Sequence, residues 1–235
     1  MSNRPKTKND RAWEELFSKY HILNEINTGG QYVIGASAIK EYREPRLMAK
    51  FDHSINLPRV FSDNHLAILP ISRGDYVISH FSAYQLFETP DNTITRFMLP
   101  DYIQSLDPNN IRSEAAAVNC ALASGMIADF IHEETVCPTV SGRMGSGQFD
   151  FLIENSRLGS LSSVEVNNAQ IEIDAALEGI EALALVEAKR DLSADFLIRQ
   201  LYYPFRALQG RVTKKVKPIM LIYSNGIYRH LRFCE

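Results

Sequence analysis

The stretch Ala182-Leu183-Ala184-Leu185-Val186-Glu187-Ala188-Lys189 decides how this chain is read. A short apolar run of this kind marks a strand buried on both faces. It carries two charges, and they stand two residues apart at its end. On a strand, residues i and i+2 point to the same side. Glu187 and Lys189 therefore share one face, and Val186 and Ala188 the other. As a surface ion pair the two charges would contribute little energetically. At the end of a buried strand, with an acid-bearing strand before it and a helix after it, they suit chemistry better.

On the C-terminal side, residues 193–210 read as a helix, with Ser193 as its cap, Gly210 as its close and Pro204 inside it. Residues 218–223 read as a strand. Asn225-Gly226 is a strong two-residue hairpin signal, with residues 227–233 as the return strand. On the N-terminal side, residues 148–153 form a strand that holds Asp150. Residues 158–174 supply a surface excursion or an extra strand. Ser141 to Gly147 is a polar glycine-rich loop. Ser113 caps a helix that runs to about Glu134, with Pro138 just beyond. The sum is an α/β (α+β) arrangement, a mixed sheet flanked by helices, over residues 106–235.

Residues 1–105 have a different texture. Trp13, Leu16, Phe17 and Tyr20 recur at helical spacing after Asp10. Residues 31–34 are strand-prone, and residues 36–42 and 46–52 form short helices. Residues 64–71 and 74–81 are strands joined by a turn at Ser72-Arg73-Gly74. Short helices followed by a hairpin describe a winged-helix-like module or a small α+β domain, and the first of these would contact DNA. Loop signals at Pro90-Asp91-Asn92 and residues 106–110 bracket the boundary.

Hydrophobic residues make up 45% and charged residues 23% of the 235, which is globular composition. No run approaches the roughly 20 apolar residues that span a bilayer. The three widely spaced cysteines do not form a disulfide framework. A cytoplasmic protein with no membrane contact is expected. The net charge of −3 argues against a protein that coats nucleic acid. From Lys189 onward, however, ten Lys and Arg face only three acids, a local excess that suits a polyanion.

Phosphodiester hydrolysis needs an activated water and neutralised phosphate charge, and carboxylate-held divalent metals supply both. Asp150 on one strand, with Glu187-Ala188-Lys189 closing another, resembles the PD-(D/E)XK nuclease superfamily over roughly residues 110–233, and within it bacterial type II restriction endonucleases. Phe149-Asp150 stands where the family has Pro-Asp. Gln200, Tyr202 and Tyr203 in the following helix are similar to the RecB-like branch. The resemblance implies a restriction-endonuclease-like fold. It also implies Mg²⁺ held by Asp150, Glu187 and the carbonyl of Ala188, with Lys189 activating the water. A further acid would come from the preceding helix, Glu114 with Glu133 and Glu134 as rivals. Arg143, Gly145 and Gln148 would lie beside the scissile phosphate. Arg190, Arg199, Lys214 and Lys215 would contact DNA. The implied activity is Mg²⁺-dependent cutting of double-stranded DNA at a specific sequence, by a homodimer that matches the symmetry of a palindromic site. A structure-specific repair or recombination nuclease and a non-enzymatic DNA-binding regulator are the competing readings.

Overall fold

The computed structural model describes residues 5–87, 93–190 and 193–232. The loop expected at Pro90-Asp91-Asn92 and the end of the return strand at Phe233 lie outside the described residues. In chain order the helices are α1 (Lys8–Lys19), α2 (Ile22–Gly29), α3 (Ala36–Lys40), α4 (Pro45–Ala49), α5 (Arg59–Asp63), α6 (Glu114–Ala123), α7 (Met126–Ile131) and α8 (Arg199–Gln209). The strands are β1 (Tyr32–Gly35), β2 (Ala67–Pro70), β3 (Asp75–Ser79), β4 (Tyr84–Leu86), β5 (Cys137–Gly145) and β6 (Gln148–Glu154). They continue with β7 (Leu161–Asn167), β8 (Gln170–Glu178), β9 (Ala182–Lys189), β10 (Asp195–Leu197), β11 (Lys215–Ser224) and β12 (Ile227–Arg232). The class is mixed α+β. No helix among the described residues is long and apolar enough to cross a membrane.

The chain divides into two compact units, and they interleave. One comprises Met1–Phe87, Gly145–Gln170 and Ala194–Arg199, the other Glu88–Met144, Ile171–Ser193 and Gln200–Glu235. This division differs from the contiguous split expected at residues 105 and 106. Residues 145–170 and 194–199 return to the unit begun by the N-terminal residues.

In the first unit, Thr7 caps α1 by accepting from Asp10 N–H, while the Asp10 carboxylate accepts from Thr7 N–H at 2.7 Å. Asp10 is thus the third helical residue of a capping box, one turn inside the position expected for it. The helical face of Trp13, Leu16 and Phe17 is fully or nearly buried against Phe61, Met48 and Ile39. Trp13 and Phe61 meet edge to face with centroids 4.8 Å apart, a contact worth about 1 kcal/mol beyond area burial. The indole N–H donates to Met48 O at 2.8 Å, so this buried polar atom is satisfied. Three strands form a sheet in the order β1-β3-β2. The hairpin expected at Ser72-Arg73-Gly74 joins β2 and β3, which pair antiparallel. Later in the chain, β6 pairs with β7, and β10 pairs with β4.

The second unit is built on a five-stranded sheet in the order β12-β11-β9-β8-β5. β9 runs parallel to β11 and antiparallel to β8, and β11 and β12 form the hairpin expected at Asn225-Gly226. One face of the sheet carries Ala184, Val186, Ala188, Ile219 and Leu221, which pack with Val118, Ala121 and Ile127 of α6 and α7. Ser113 caps α6 as expected, accepting from Ala116 N–H. The single helix expected to Glu134 is broken at Gly125, which adopts φ 80°, a conformation open to glycine at no steric cost.

Two further expectations are corrected, and of the two alternatives for residues 158–174 the extra strand is the one observed. Residues 141–147 do not form a free loop, because most of them lie in β5 at the edge of the sheet. Residues 158–174 hold β7 and the start of β8. Ser193 does not cap α8, which begins at Arg199 after the short strand β10.

Candidate functional site

All eight residues of β9 are buried, as its composition predicts for a strand with neighbours on both edges and packing on both faces. Within that strand Glu187 and Lys189 are the only charges. Their side chains are about nine-tenths buried, with relative exposures of 10% and 9%. Lys189 Nζ donates to Glu187 Oε1 at 2.8 Å. The same oxygen accepts from Gln200 Nε2, on the first turn of α8, at 2.6 Å. Two donors on one oxygen hold the carboxylate in a single orientation. Gln200 is itself buried, and its Oε1 has no hydrogen-bond partner among the described residues. A buried acceptor of this kind normally finds a donor, from protein or from ordered water.

The strand beside β9 supplies a second acid. The β8–β9 ladder runs from Glu178↔Leu183 to Ala175↔Val186. One step further along β8 stands Asp174, whose Oδ2 accepts from Ala188 N–H at 2.8 Å. Asp174 replaces the ladder where the two strands part. It shares the sheet face of Glu187, since Ala175 and Val186 belong to the opposite, helix-packed face. The N–H and C=O of one strand residue point to the same side. The Ala188 carbonyl is therefore directed to the edge where Asp174 sits.

Asp150 stands on a strand that is not hydrogen-bonded to β9. Its strand β6 pairs with β7, setting Asp150 opposite Glu165, and both are exposed. The pairing expected to bring Asp150 beside Glu187 does not form. The physical reason is legible in the burial of β6, which alternates exposed and half-buried positions, the pattern of a strand with one wet face. A fully buried β9 is better matched by β8, where Ile171, Ile173, Ala175 and Leu177 are buried at period two. The signal for Asp174 was present in Gln170-Ile171-Glu172-Ile173-Asp174-Ala175-Ala176-Leu177. That alternating run is separated from β9 by a tight turn, and consecutive strands so joined usually pair.

The other expected residues divide by position. Arg190 donates to the carbonyl of Arg112, which brings the start of α6, and with it exposed Glu114, to the end of β9 that carries Lys189. Glu133 lies at the opposite end. Its two carboxylate oxygens accept from Ile180 N–H and Glu181 N–H, both at 3.0 Å, in the turn that precedes β9. It is thereby a turn cap, and Glu134 follows it at that end. Lys214 is likewise committed, to Glu178 at 2.7 Å and the carbonyl of Gly179 at 2.8 Å. Lys215 pairs with Ala182 at the start of β9, seven residues from Lys189 and so about 23 Å along the strand. Arg143 on β5 is exposed and stands 3.5 Å from Glu172. Gly145 and Gln148 fall in the first unit, where a Cβ on Gly145 would stand 2.0 Å from the Asn168 carboxamide. Arg199 opens α8 at the residue before Gln200.

Among the described residues, no three His, Cys, Asp or Glu side chains gather as a metal-holding group. The donors at the end of β9 are two carboxylates and one backbone carbonyl. That set of few hard oxygens suits Mg²⁺, which keeps several of its waters and needs few protein ligands. The buried, unpartnered Gln200 Oε1 offers an acceptor for a water on such an ion.

Comparison with known proteins adds a family and no activity. Residues 10–78 match a family described as Domain of unknown function (DUF6996). No curated protein matches the chain, and no solved structure does. Residues 79–234 match the family described as Domain of unknown function (DUF6997), and over that span, which includes the whole of the β8–β9 site, the chain belongs to it.

Proposed function

We propose that this chain is a Mg²⁺-dependent nuclease of the PD-(D/E)XK type that hydrolyses phosphodiester bonds in double-stranded DNA, acting as a type II restriction endonuclease, a cytoplasmic homodimer. The observation that carries the reading is a buried Glu187–Lys189 pair at the end of an otherwise apolar strand, with Asp174 and Gln200 closing around it. Burying two charges is costly and adds little net stability. Such groups in such a place are candidates for function.

In this reading Asp174, Glu187 and the Ala188 carbonyl hold the ion, with Glu114 as a further acid. Bound there, the metal supplies a nucleophilic water at neutral pH and neutralises phosphate charge. Gln200 and Lys189 fix the Glu187 carboxylate. Lys189 Nζ, which carries three protons, would donate to the attacking water and to a phosphate oxygen. The first unit supports a DNA-contacting role of winged-helix type. Helices α1 to α5 precede its β2–β3 hairpin, which joins β1 in a three-stranded sheet of order β1-β3-β2, with Arg73 in the β2–β3 turn.

The test is incubation of the purified chain with several large duplex DNAs, with Mg²⁺ or with chelator. Discrete Mg²⁺-dependent fragments are expected from the wild type. Asp174→Asn and Lys189→Ala should each lose at least ~100-fold in rate, as removal of metal-site groups does, and Asp150→Asn, run beside them, tests the acid expected from the sequence. No cleavage of duplex, branched or single-stranded DNA would refute the nuclease reading.

A further inference from the structure

The register of the five-stranded sheet extends the candidate site sideways. On the face of Glu187 and Lys189, Lys189 pairs with Ile222 of β11, and Ile222 pairs with Arg229 of β12. Paired residues on neighbouring strands point to the same face, so Lys189, Ile222 and Arg229 form one row. With strands spaced about 4.8 Å apart, Arg229 starts about 10 Å from Lys189. DNA advances about 3.4 Å along its axis per nucleotide of a strand, so the row spans a short run of nucleotides.

Beside Arg229 lies a niche of about 110 Å³, lined by Ile222, Ser224, Asn225, Ile227 and Arg229. Ser224 pairs with Ile227, which places both on the same face as Ile222 and Arg229. The floor is aliphatic, the rim is polar and cationic, and Ile227 is 51% exposed. Other cations near this corner are engaged. Arg190 donates to the Arg112 carbonyl and Lys189 to Glu187. Lys217 and Arg232 stand on the helix-packed face, where they donate to the carbonyls of Ile131 and Phe130. The Arg229 side chain, on a half-buried residue, has no hydrogen bond or ion pair with any described residue.

We infer that this face of the β11–β12 hairpin is a subsite for one nucleotide of the strand being cut, taking its phosphate on Arg229 and its base against Ile227. The inference rests on the nuclease reading and adds to it a positioning residue outside the acids and lysine. Apolar contact to a base tolerates any sequence, while the guanidinium donates to two phosphate oxygens. The subsite therefore sets where the strand lies and not which bases are cut.

The experiment uses the full chain carrying Lys189→Met, which binds without cutting, and a fluorescent duplex containing the cut site. Affinity is measured by anisotropy between roughly 50 and 200 mM salt. Adding Arg229→Ala should weaken binding roughly tenfold or more and reduce the salt slope by about 0.9, one phosphate contact. Arg229→Lys should restore the slope. With Lys189 intact, Arg229→Ala should raise KM and leave kcat, the mark of binding shared by ground and transition states. An abasic nucleotide stepped through the positions flanking the cut should weaken binding at one position, and Ile227→Ala should erase that difference. If the wild type cuts DNA, yet Arg229→Ala leaves slope and KM unchanged, this subsite is refuted and the nuclease reading stands. If the wild type neither binds nor cuts DNA, both fall.

Discussion

Replacing Glu187 by Gln and Lys189 by Met together removes both buried charges and keeps the volume and the hydrogen bond from Gln200. If the pair is present for chemistry, this double variant should be at least as stable as the wild type. The two side chains are 10% and 9% exposed and 2.8 Å apart, so each charge is largely stripped of water and has the other as a close counter-charge. Removing one partner alone takes a buried counter-charge from the other. Glu187→Ala should therefore cost about 3–5 kcal/mol, on the order of 10 °C in Tm for a chain of this size. Removing both should be neutral or stabilising by about 1–4 kcal/mol. The measurement is urea and thermal unfolding of wild type, both single variants and the double variant, all in chelator so that no bound ion contributes. A double variant as unstable as Glu187→Ala would show that the ion pair supports the fold, and the argument from buried charge to function would fail.

Two other predictions concern positions away from the site. His230 is flanked by Phe130 and Tyr228, with ring centroids 5.1 and 6.5 Å away, and its Nε2 is buried with no partner among the described residues. Arg232 lies over the Phe130 ring, and the Tyr228 and Cys120 side chains are nearby. Loss of water pushes the imidazole down to about 4. A lowered native pKa means that the unfolded chain takes up the proton first, so this contribution is complete above 6.5 and is lost as pH falls towards 4. Unfolding free energy should drop by about 2 kcal/mol more between pH 7 and pH 5 in the wild type than in His230→Leu, and matching slopes would contradict the burial argument. Glu133→Ala should lose about 1–3 kcal/mol, because Ile180 N–H and Glu181 N–H lose their acceptor, and it should leave DNA cutting intact. A loss of metal dependence in that variant would return Glu133 to the site.

Much of the second unit was legible because its signals are local. The aliphatic run of β9, the Asn225-Gly226 turn and the Ser113 cap each declare themselves within a few residues. The break at Gly125 was harder to read, since apolar residues continue on both sides of it and only the positive φ ends the helix. Glu187 and Lys189 could be placed on one face from spacing alone. Their partner acid could not, because it depends on which strand pairs with β9. Asp150 and Asp174 both lie on strand-like stretches before the motif, and the deciding fact is the short turn at Gly179 that folds β8 back on β9. Gln200 was noticed as part of a helical stretch, but its bond to Glu187 is a tertiary contact that no spacing reveals. Lys214 and Lys215 contributed to a basic count that says nothing about which end of a strand each one occupies.

The interleaving of the two units bears on how the chain is made. The residues of the first unit arrive in three instalments, and its last strand, β10, pairs with β4 from roughly 110 residues earlier. At ribosomal speeds of about 5–20 residues per second, β4 waits roughly 6–20 s for its partner. The Trp13–Phe61 core can collapse at once, since all its parts lie within the first instalment. The edge left open at β4 is then exposed to neighbouring nascent chains for the whole interval, so synthesis rate becomes a variable in the yield of folded protein.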